Sequence, residues 1–193
     1  MTLFERLTDA ASRQAPSSLL TGDRSEDAVS AGIAAAVLIA VTDRHQPGVI
    51  LTVRRPDLRR HPGQIAFPGG RIDPGESAGQ AAVREAHEEV GLDPADVRVA
   101  GLLDDYCTIT GYQVTPVLAL IAPDLPLEPH EAEVSDLFEA PLAHLLDPAN
   151  HLRRSALFEG QERHYYEIAW KGRNIWGATA AMIVNLSKRL PWP

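Results

Sequence analysis

The feature that most constrains the fold is a helix over residues 77–90 whose two ends are both marked in the sequence. Ser77, followed three positions later by Gln80, is a capping-box signature at the start. Gly91 stands where a left-handed residue ends a helix, and Pro94 follows it. The sequence therefore predicts both boundaries of this helix from local signals alone.

The side chains of this helix separate into an apolar arc and an acidic arc. The apolar arc, which we expect to face the core, contains Ala82, Val83, Ala86 and Val90. Glu85, Glu88 and Glu89 share the neighbouring arc because they are spaced i, i+3, i+4. This geometry predicts that Glu89 lies beside the core, Glu85 near it, and Glu88 further out towards Arg84.

Three carboxylates on one helix face repel each other, by about 0.2–0.5 kcal/mol per exposed pair and by more at the edge of a core, where the dielectric is lower. A divalent cation removes this repulsion, and Mg²⁺ prefers hard oxygen ligands supplied by a few carboxylates and a substrate phosphate. The pattern is therefore that of a magnesium site. Taken alone, the trio is more typical of a solvated acidic face carrying an Arg84–Glu88 pair.

The rest of the chain alternates between strand-like and helix-like segments. We predict helices over 2–14, 142–146 and 178–190, strands over 31–42, 49–54, 97–108, 113–121 and 163–170, and loops over 55–70 and 122–133. Residues 15–30 are rich in Pro, Ser, Gly and Asp and are typical of a linker. These patterns predict an α/β domain over 31–193 with a mixed sheet between helices, preceded by an N-terminal helix and linker over 1–30.

Composition excludes several classes of partner. The formal net charge of −8 disfavours nucleic acids and membrane surfaces, which are polyanions. The longest apolar run, Ala31–Val41, is about half the roughly 20 residues that a membrane helix needs. Cys107 is the only cysteine, so an intrachain disulfide is excluded. We expect a cytoplasmic protein with no membrane or nucleic-acid partner; the apolar N-terminal helix is compatible with a homodimer.

The segment 70–92 resembles the Nudix box, in which a glycine, a glutamate and an Arg-Glu-aliphatic-any-Glu-Glu-any-Gly-aliphatic run occur at fixed spacing. The matching positions are Gly70, Glu76, Arg84, Glu85, Ala86, Glu88, Glu89, Gly91 and Leu92. Ala86 is small for its aliphatic position. The resemblance implies an α/β/α sandwich with a mixed sheet, and a hydrolase that cleaves nucleoside diphosphates linked to another group.

The resemblance also implies roles for individual residues. Glu85 and Glu89 would be the main ligands of Mg²⁺ or Mn²⁺, with Glu88 as an accessory ligand and Arg84 orienting the glutamates. Glu76 would hold the preceding loop. Gly69 and Gly70 would let the backbone approach the metal or a substrate phosphate.

A second resemblance lies just upstream, over residues 50–70, and is to the coenzyme A pyrophosphatase branch of the Nudix family. Arg54, Arg59, Gly63 and the run from Phe67 fit that motif, whereas Arg55 stands where a small residue is usual. Segments 111–117 and 175–180 are also similar to that branch. The implied reaction is hydrolysis of coenzyme A, and also of acyl-CoA, to 3′,5′-ADP and 4′-phosphopantetheine.

The residues themselves support a phosphate-binding loop here. Arg54, Arg55, Arg59 and Arg60 lie within seven positions, and guanidinium groups bind phosphate in a bidentate manner. We therefore predict that Arg54, Arg59 and Arg60 bind substrate. The alternative is a solvated basic turn.

Two questions stay open at this level. The general base is either a glutamate of the box or an acid of the 128–133 loop, where Glu133 occupies the position that the resemblance would assign to it. The substrate is coenzyme A or another nucleoside diphosphate derivative such as ADP-ribose. A non-catalytic nucleotide-binding domain is a third alternative, but such domains usually lose acids of the box, and none is lost here.

Overall fold

The computed structural model describes residues 1–22, 32–57, 63–158 and 160–192. The helices are α1 (Leu3–Ser12), α2 (Ala78–Val90), α3 (Leu142–Leu146) and α4 (Ala178–Arg189). The strands are β1 (Ile33–Thr42), β2 (Gly48–Arg54), β3 (Ile65–Ala66), β4 (Gly69–Arg71), β5 (Val97–Leu102), β6 (Tyr106–Cys107), β7 (Tyr112–Ile121), β8 (Val134–Pro141), β9 (Leu152–Phe158), β10 (Gln161–Trp170) and β11 (Arg173–Trp176). Arg59, Arg60 and residues 23–30 of the predicted linker lie outside the described residues.

The larger sheet is mixed, as the sequence predicts. Strand β1 lies at its centre and runs parallel to β7, from the pair Ile33–Tyr112 to the pair Thr42–Ile121. The other pairings are antiparallel: β1 with β2 and β4, β7 with β5 and β6, and β2 with β3 and β8. This arrangement brings β4, which leads into α2, directly beside the central strand.

The two faces of this sheet are both covered. Helix α2 packs its small residues Ala81, Ala82 and Ala86 against Leu38 on one face. The opposite face is covered by α1, α3, α4 and a three-stranded sheet of β9, β10 and β11. The predicted α/β/α sandwich is therefore confirmed.

Helix α1 packs against the larger sheet and α4. Its start is capped by Thr2 and Glu5 in a capping box, and Leu7 and Ala10 are buried in the core that α4 also lines. Arg189 of α4 is 4% exposed; it donates to the carbonyl of Ala10 and pairs with Asp104. The apolar side of α1 is thus buried against the rest of the chain.

Several strands are absent from the sequence-based prediction. The predicted loop 55–70 contains β3 and β4, and β8, β9 and β11 were not expected. Strands β3 and β4 have only two and three residues, and β9 is exposed over residues 152–157. None carries a regular alternation, so pairing with neighbouring strands, rather than local pattern, makes them strands.

Among the described residues, no helix is long and apolar enough to span a membrane.

Candidate active site

Helix α2 has the two boundaries that the sequence predicts. Ser77 Oγ accepts a hydrogen bond from the backbone N–H of Gln80 at 3.3 Å, and Gln80 Oε1 accepts one from the backbone N–H of Ser77 at 2.9 Å. Gly91 ends the helix with φ = 68°, in the left-handed region that favours glycine. The helix therefore presents its carboxylates from a rigid, well-capped support.

The exposure of the three carboxylates follows the predicted arcs. The exposed fraction of the side chain is 7% for Glu89, 18% for Glu85 and 56% for Glu88. Glu89 is thus a carboxylate at the edge of the core, whereas Glu88 is largely solvated.

Arg84 forms hydrogen bonds to three glutamates of the site. Its Nε donates to Glu76 Oε1 at 2.9 Å, and its Nη1 donates to Glu85 Oε1 at 2.9 Å and to Glu88 Oε2 at 3.3 Å. Nη2 donates to the carbonyl of Arg71 at 3.0 Å. These bonds raise the pKa of Arg84 above its ordinary value. Arg84 therefore fixes the loop before α2 and the two glutamates beside it as one unit.

Glu76 joins this unit to the loop. Its carboxylate accepts from Arg84 and, through Oε2, from the backbone N–H of Asp73 at 3.1 Å. Both bonds stabilise the ionised form and hold the pKa of Glu76 below its ordinary value.

Glu89 is held by one hydrogen bond and one ion pair from other elements. Its Oε2 accepts from the backbone N–H of Gly69 at 3.1 Å, and its Oε1 lies 3.9 Å from Arg54 Nη1. Burial nevertheless raises the pKa of Glu89 to about 7, because desolvation and the nearby charges of Glu85 and Glu133 outweigh those two contacts. Burial likewise raises the pKa of Glu85, despite its bond to Arg84.

Gly69 and Gly70 lie where the backbone passes close to other atoms. A Cβ on Gly70 would lie 2.5 Å from Glu85 Oε2. A Cβ on Gly69 would lie 2.6 Å from Val37 Cα, and closer still to the carbonyl oxygen of Ala36. Gly69 is thus sterically restricted to glycine by the central strand, whereas a side chain at Gly70 would displace the carboxylate of Glu85.

The structure brings Arg54 and Glu133 to this site from outside the helix. Arg54 Nε is buried and has no hydrogen-bond partner among the described residues. Glu133 is exposed, lies within electrostatic reach of Glu85 and Glu89, and is next to Val134, which pairs with Arg54. The predicted substrate residues Arg59 and Arg60 lie outside the described residues.

A divalent cation fits the chemistry of this donor set. In the described part of the chain, no three acidic, histidine or cysteine side chains are placed as a ready-made metal site, since Glu85 and Glu88 are bound to Arg84. However, Glu89 is a buried and Glu85 a partly buried carboxylate, burial raises the pKa values of both, and their oxygens are the hard ligands that Mg²⁺ prefers.

The raised pKa values of Glu85 and Glu89 predict how the stability of the metal-free protein depends on pH. In the unfolded chain Glu89 loses its proton near its ordinary pKa of about 4.3, whereas in the folded protein it keeps the proton up to about pH 7. Since the folded state binds more protons in this window, the free energy of unfolding should fall as pH rises, by on the order of 3 kcal/mol. The raised pKa of Glu85 also makes the free energy of unfolding fall as pH rises. The lowered pKa of Glu76 makes it increase with pH, in a more acidic range.

Urea unfolding of metal-free protein at pH 5 and pH 8 would measure this decline. The decline should be much smaller in Glu89→Gln, and Mg²⁺ should restore stability at pH 8 but not at pH 5. An equal decline in both proteins would show that Glu89 does not carry the effect.

Sequence reasoning missed two parts of the site. One is the carbonyl of Arg71, for which a sequence gives no signal because every residue has one. The other is the pair between Arg55 and Asp57, two residues apart, which a charge-pair search of the loop could have found.

Known proteins resemble this chain over most of its length. Residues 32–160 match the model of the NUDIX domain. The chain belongs to the Nudix family. NudL of Escherichia coli strain K12, an uncharacterized Nudix hydrolase, is 45% identical over 161 residues, which cover 81% of this chain and 82% of NudL. NudL of Shigella boydii serotype 4 is 44% identical over the same length.

Solved structures show the same fold. The Nudix hydrolase RenU of M. smegmatis is 28% identical and superimposes with a TM-score of 0.50, covering 63% of this chain and 72% of RenU. A MutT/nudix family protein of Enterococcus faecalis, 15% identical, covers 97% of this chain and 68% of its own with a TM-score of 0.50. This Nudix protein is thus an enzyme that hydrolyses pyrophosphate bonds, in a family that generally uses divalent metal ions.

Proposed function

We propose that this Nudix hydrolase cleaves the pyrophosphate of coenzyme A, and of acyl-CoA, to give 3′,5′-ADP and 4′-phosphopantetheine. The observation that carries the proposal is the position of Arg54. This residue belongs to the segment that resembles the coenzyme A pyrophosphatase motif, and its guanidinium stands 3.9 Å from the buried carboxylate of Glu89.

The state of the Arg54 side chain supports a phosphate partner. The side chain is only 28% exposed, and its Nε has no acceptor among the described residues. A buried donor without an acceptor costs about 1–3 kcal/mol, and a substrate phosphate would remove that cost. Arg59 and Arg60 follow within six positions in the sequence, and coenzyme A carries a 3′-phosphate in addition to its pyrophosphate.

The residues of α2 would hold Mg²⁺ or Mn²⁺ through Glu85 and Glu89, with Glu88 as an accessory ligand. When bound, the metal neutralises charge that develops on the pyrophosphate and makes a nearby water more acidic. Arg84 keeps Glu85 and Glu88 in place, and Arg54 binds a phosphate oxygen beside Glu89. Gly69 and Gly70 let the backbone pass close to the central strand and to the carboxylate of Glu85, which keeps that carboxylate in place.

Glu133 is the residue that we propose as general base. It is exposed to water, unlike Glu89, and from its loop it lies within electrostatic reach of Glu85 and Glu89. In the reaction, Glu133 accepts a proton from the water that attacks one phosphorus. The bond from that phosphorus to the bridging oxygen breaks, and each product keeps one of the two phosphates.

The proposal is tested by incubating the protein and Mg²⁺ with coenzyme A, acetyl-CoA, dephospho-coenzyme A, ADP-ribose and NADH, and separating the products. We expect 3′,5′-ADP from coenzyme A. The kcat/KM for dephospho-coenzyme A should be at least about tenfold lower than that for coenzyme A, since one charged phosphate contact is worth about 1.5–3 kcal/mol. Turnover of ADP-ribose without turnover of coenzyme A would overturn the assignment of substrate while leaving the metal site intact.

A further inference from the structure

Arg55 stands where the motif that this loop resembles has a small residue, and the structure gives this arginine a definite place. We propose that Arg55 is a positioning residue for Glu133: it ties the acidic loop, residues 128–133, to the end of β2 and so keeps Glu133 beside the carboxylates of α2. This inference rests on the role of general base proposed above for Glu133.

The guanidinium of Arg55 bridges two segments. Its Nε and Nη2 donate to the two carboxylate oxygens of Asp57 at 2.8 and 2.7 Å, which orients the plane of the group. Its Nη1 donates to the carbonyl of Glu131 at 2.6 Å. The backbone N–H of Arg55 also donates to the carbonyl of Glu133, at 3.1 Å. The side chain and the main chain of one residue thus hold the end of the acidic loop.

The same contacts argue against Arg55 as a phosphate ligand. One bidentate edge of its guanidinium is filled by the carboxylate of Asp57, and the charge of that carboxylate offsets its own. The neighbouring Arg54 differs, because its buried Nε has no acceptor among the described residues and its contact with the Glu89 carboxylate is longer, at 3.9 Å. The two adjacent arginines therefore have different tasks, Arg54 towards the substrate and Arg55 towards the loop.

The other end of the acidic loop is fixed to α2. The backbone N–H of Glu128 donates to the carbonyl of Val90 at 3.1 Å, and that of His130 donates to the carbonyl of Glu89 at 2.8 Å. The loop therefore connects the end of the catalytic helix, through these two bonds, to the end of β2, through Arg55. Arg55 supplies the side-chain attachment on the β2 side.

Glu133 needs such an attachment because its neighbours repel it. It is an exposed carboxylate within electrostatic reach of Glu85 and Glu89, and like charges favour conformations that separate them. Without the bond to Glu131, the loop has more freedom to carry Glu133 away. A displacement of about 1 Å at a reacting group costs up to about 100-fold in rate.

The test is a double-mutant cycle of Arg55→Ala and Glu133→Gln, measured on whichever nucleotide the enzyme turns over, so that a failed coenzyme A assignment does not affect it. We expect Arg55→Ala to lower kcat about tenfold with little change in KM, and Asp57→Asn to act in the same direction. In the Glu133→Gln background, Arg55→Ala should lower kcat no further.

Three outcomes would overturn the proposal. They are an equal loss from Arg55→Ala in both backgrounds, a change confined to KM as for a phosphate ligand, and an unchanged kcat in Glu133→Gln. The matched control is Arg44→Ala, which removes ion pairs to Asp124 and Glu139 beyond the opposite end of β2 and should leave kcat unchanged.

A second readout does not depend on turnover. Backbone amides of Glu133 and Val134 donate to the carbonyl of His130, both at 3.0 Å. Hydrogen exchange of these amides should become faster in Arg55→Ala and stay unchanged in Arg44→Ala. Unchanged exchange in Arg55→Ala would show that Arg55 does not hold the loop.

Discussion

Replacing Glu89 with glutamine should lower kcat by about 1,000-fold, because loss of one charged group that acts on the transition state costs about 3–4 kcal/mol. Glu89 is the most buried carboxylate of α2, and it receives the Gly69 N–H on one oxygen and faces Arg54 with the other. Glutamine keeps the size of the side chain and an acceptor for Gly69, so the fold should persist. Initial rates of product release with Mg²⁺ measure the loss.

The matched control is Asp96→Asn, which makes the same change of charge at an exposed position in the turn after α2. This variant should retain full activity. The metal-free Glu89→Gln protein should also be more stable than the wild type at pH 8, since it lacks the buried negative charge. Full activity in Glu89→Gln would remove Glu89 from the metal-binding set.

The two adjacent glycines before α2 should respond to alanine in opposite ways. Gly69→Ala places a methyl group against the backbone of Ala36 and Val37, which cannot move without disturbing the central strand. We expect a loss of about 3 kcal/mol in the free energy of unfolding, as in overpacked cores. Gly70→Ala places its methyl group against the carboxylate of Glu85, the far end of a side chain that can turn away.

Gly70→Ala should therefore keep most of its stability but lose turnover by about 100-fold, because Glu85 is displaced from its place beside Arg84. Thermal unfolding and initial rates measured on both variants separate the two effects. The control is Gly79→Ala on the first turn of α2, where an added Cβ meets nothing within 4 Å; this change should leave kcat unaltered and stabilise the helix slightly. Equal activity of Gly70→Ala and the wild type would contradict the role of Gly70.

The accuracy of the sequence-based prediction differs between local and long-range features. The ends of α2 and the order of exposure of its three glutamates were predicted correctly, because capping and helical periodicity depend on residues within one or two turns. The parallel partner of β1 was not predicted, since β1 and β7 are about 80 positions apart in sequence and each alone is only an apolar run. The short strands β3 and β4 form because they pair with β2 and β1, respectively.

The acidic helix, the arginine-rich loop and the reaction class of a Nudix hydrolase were determined by the sequence itself, since each is encoded by residue types at fixed spacing. Only the tertiary structure decided that Arg54 meets Glu89, that Glu133 lies within electrostatic reach of Glu85 and Glu89, and that Arg55 is bound to Asp57 and Glu131. The physical reason is that these contacts join β2, α2 and a loop far apart in the chain, and packing of the whole sheet places them together.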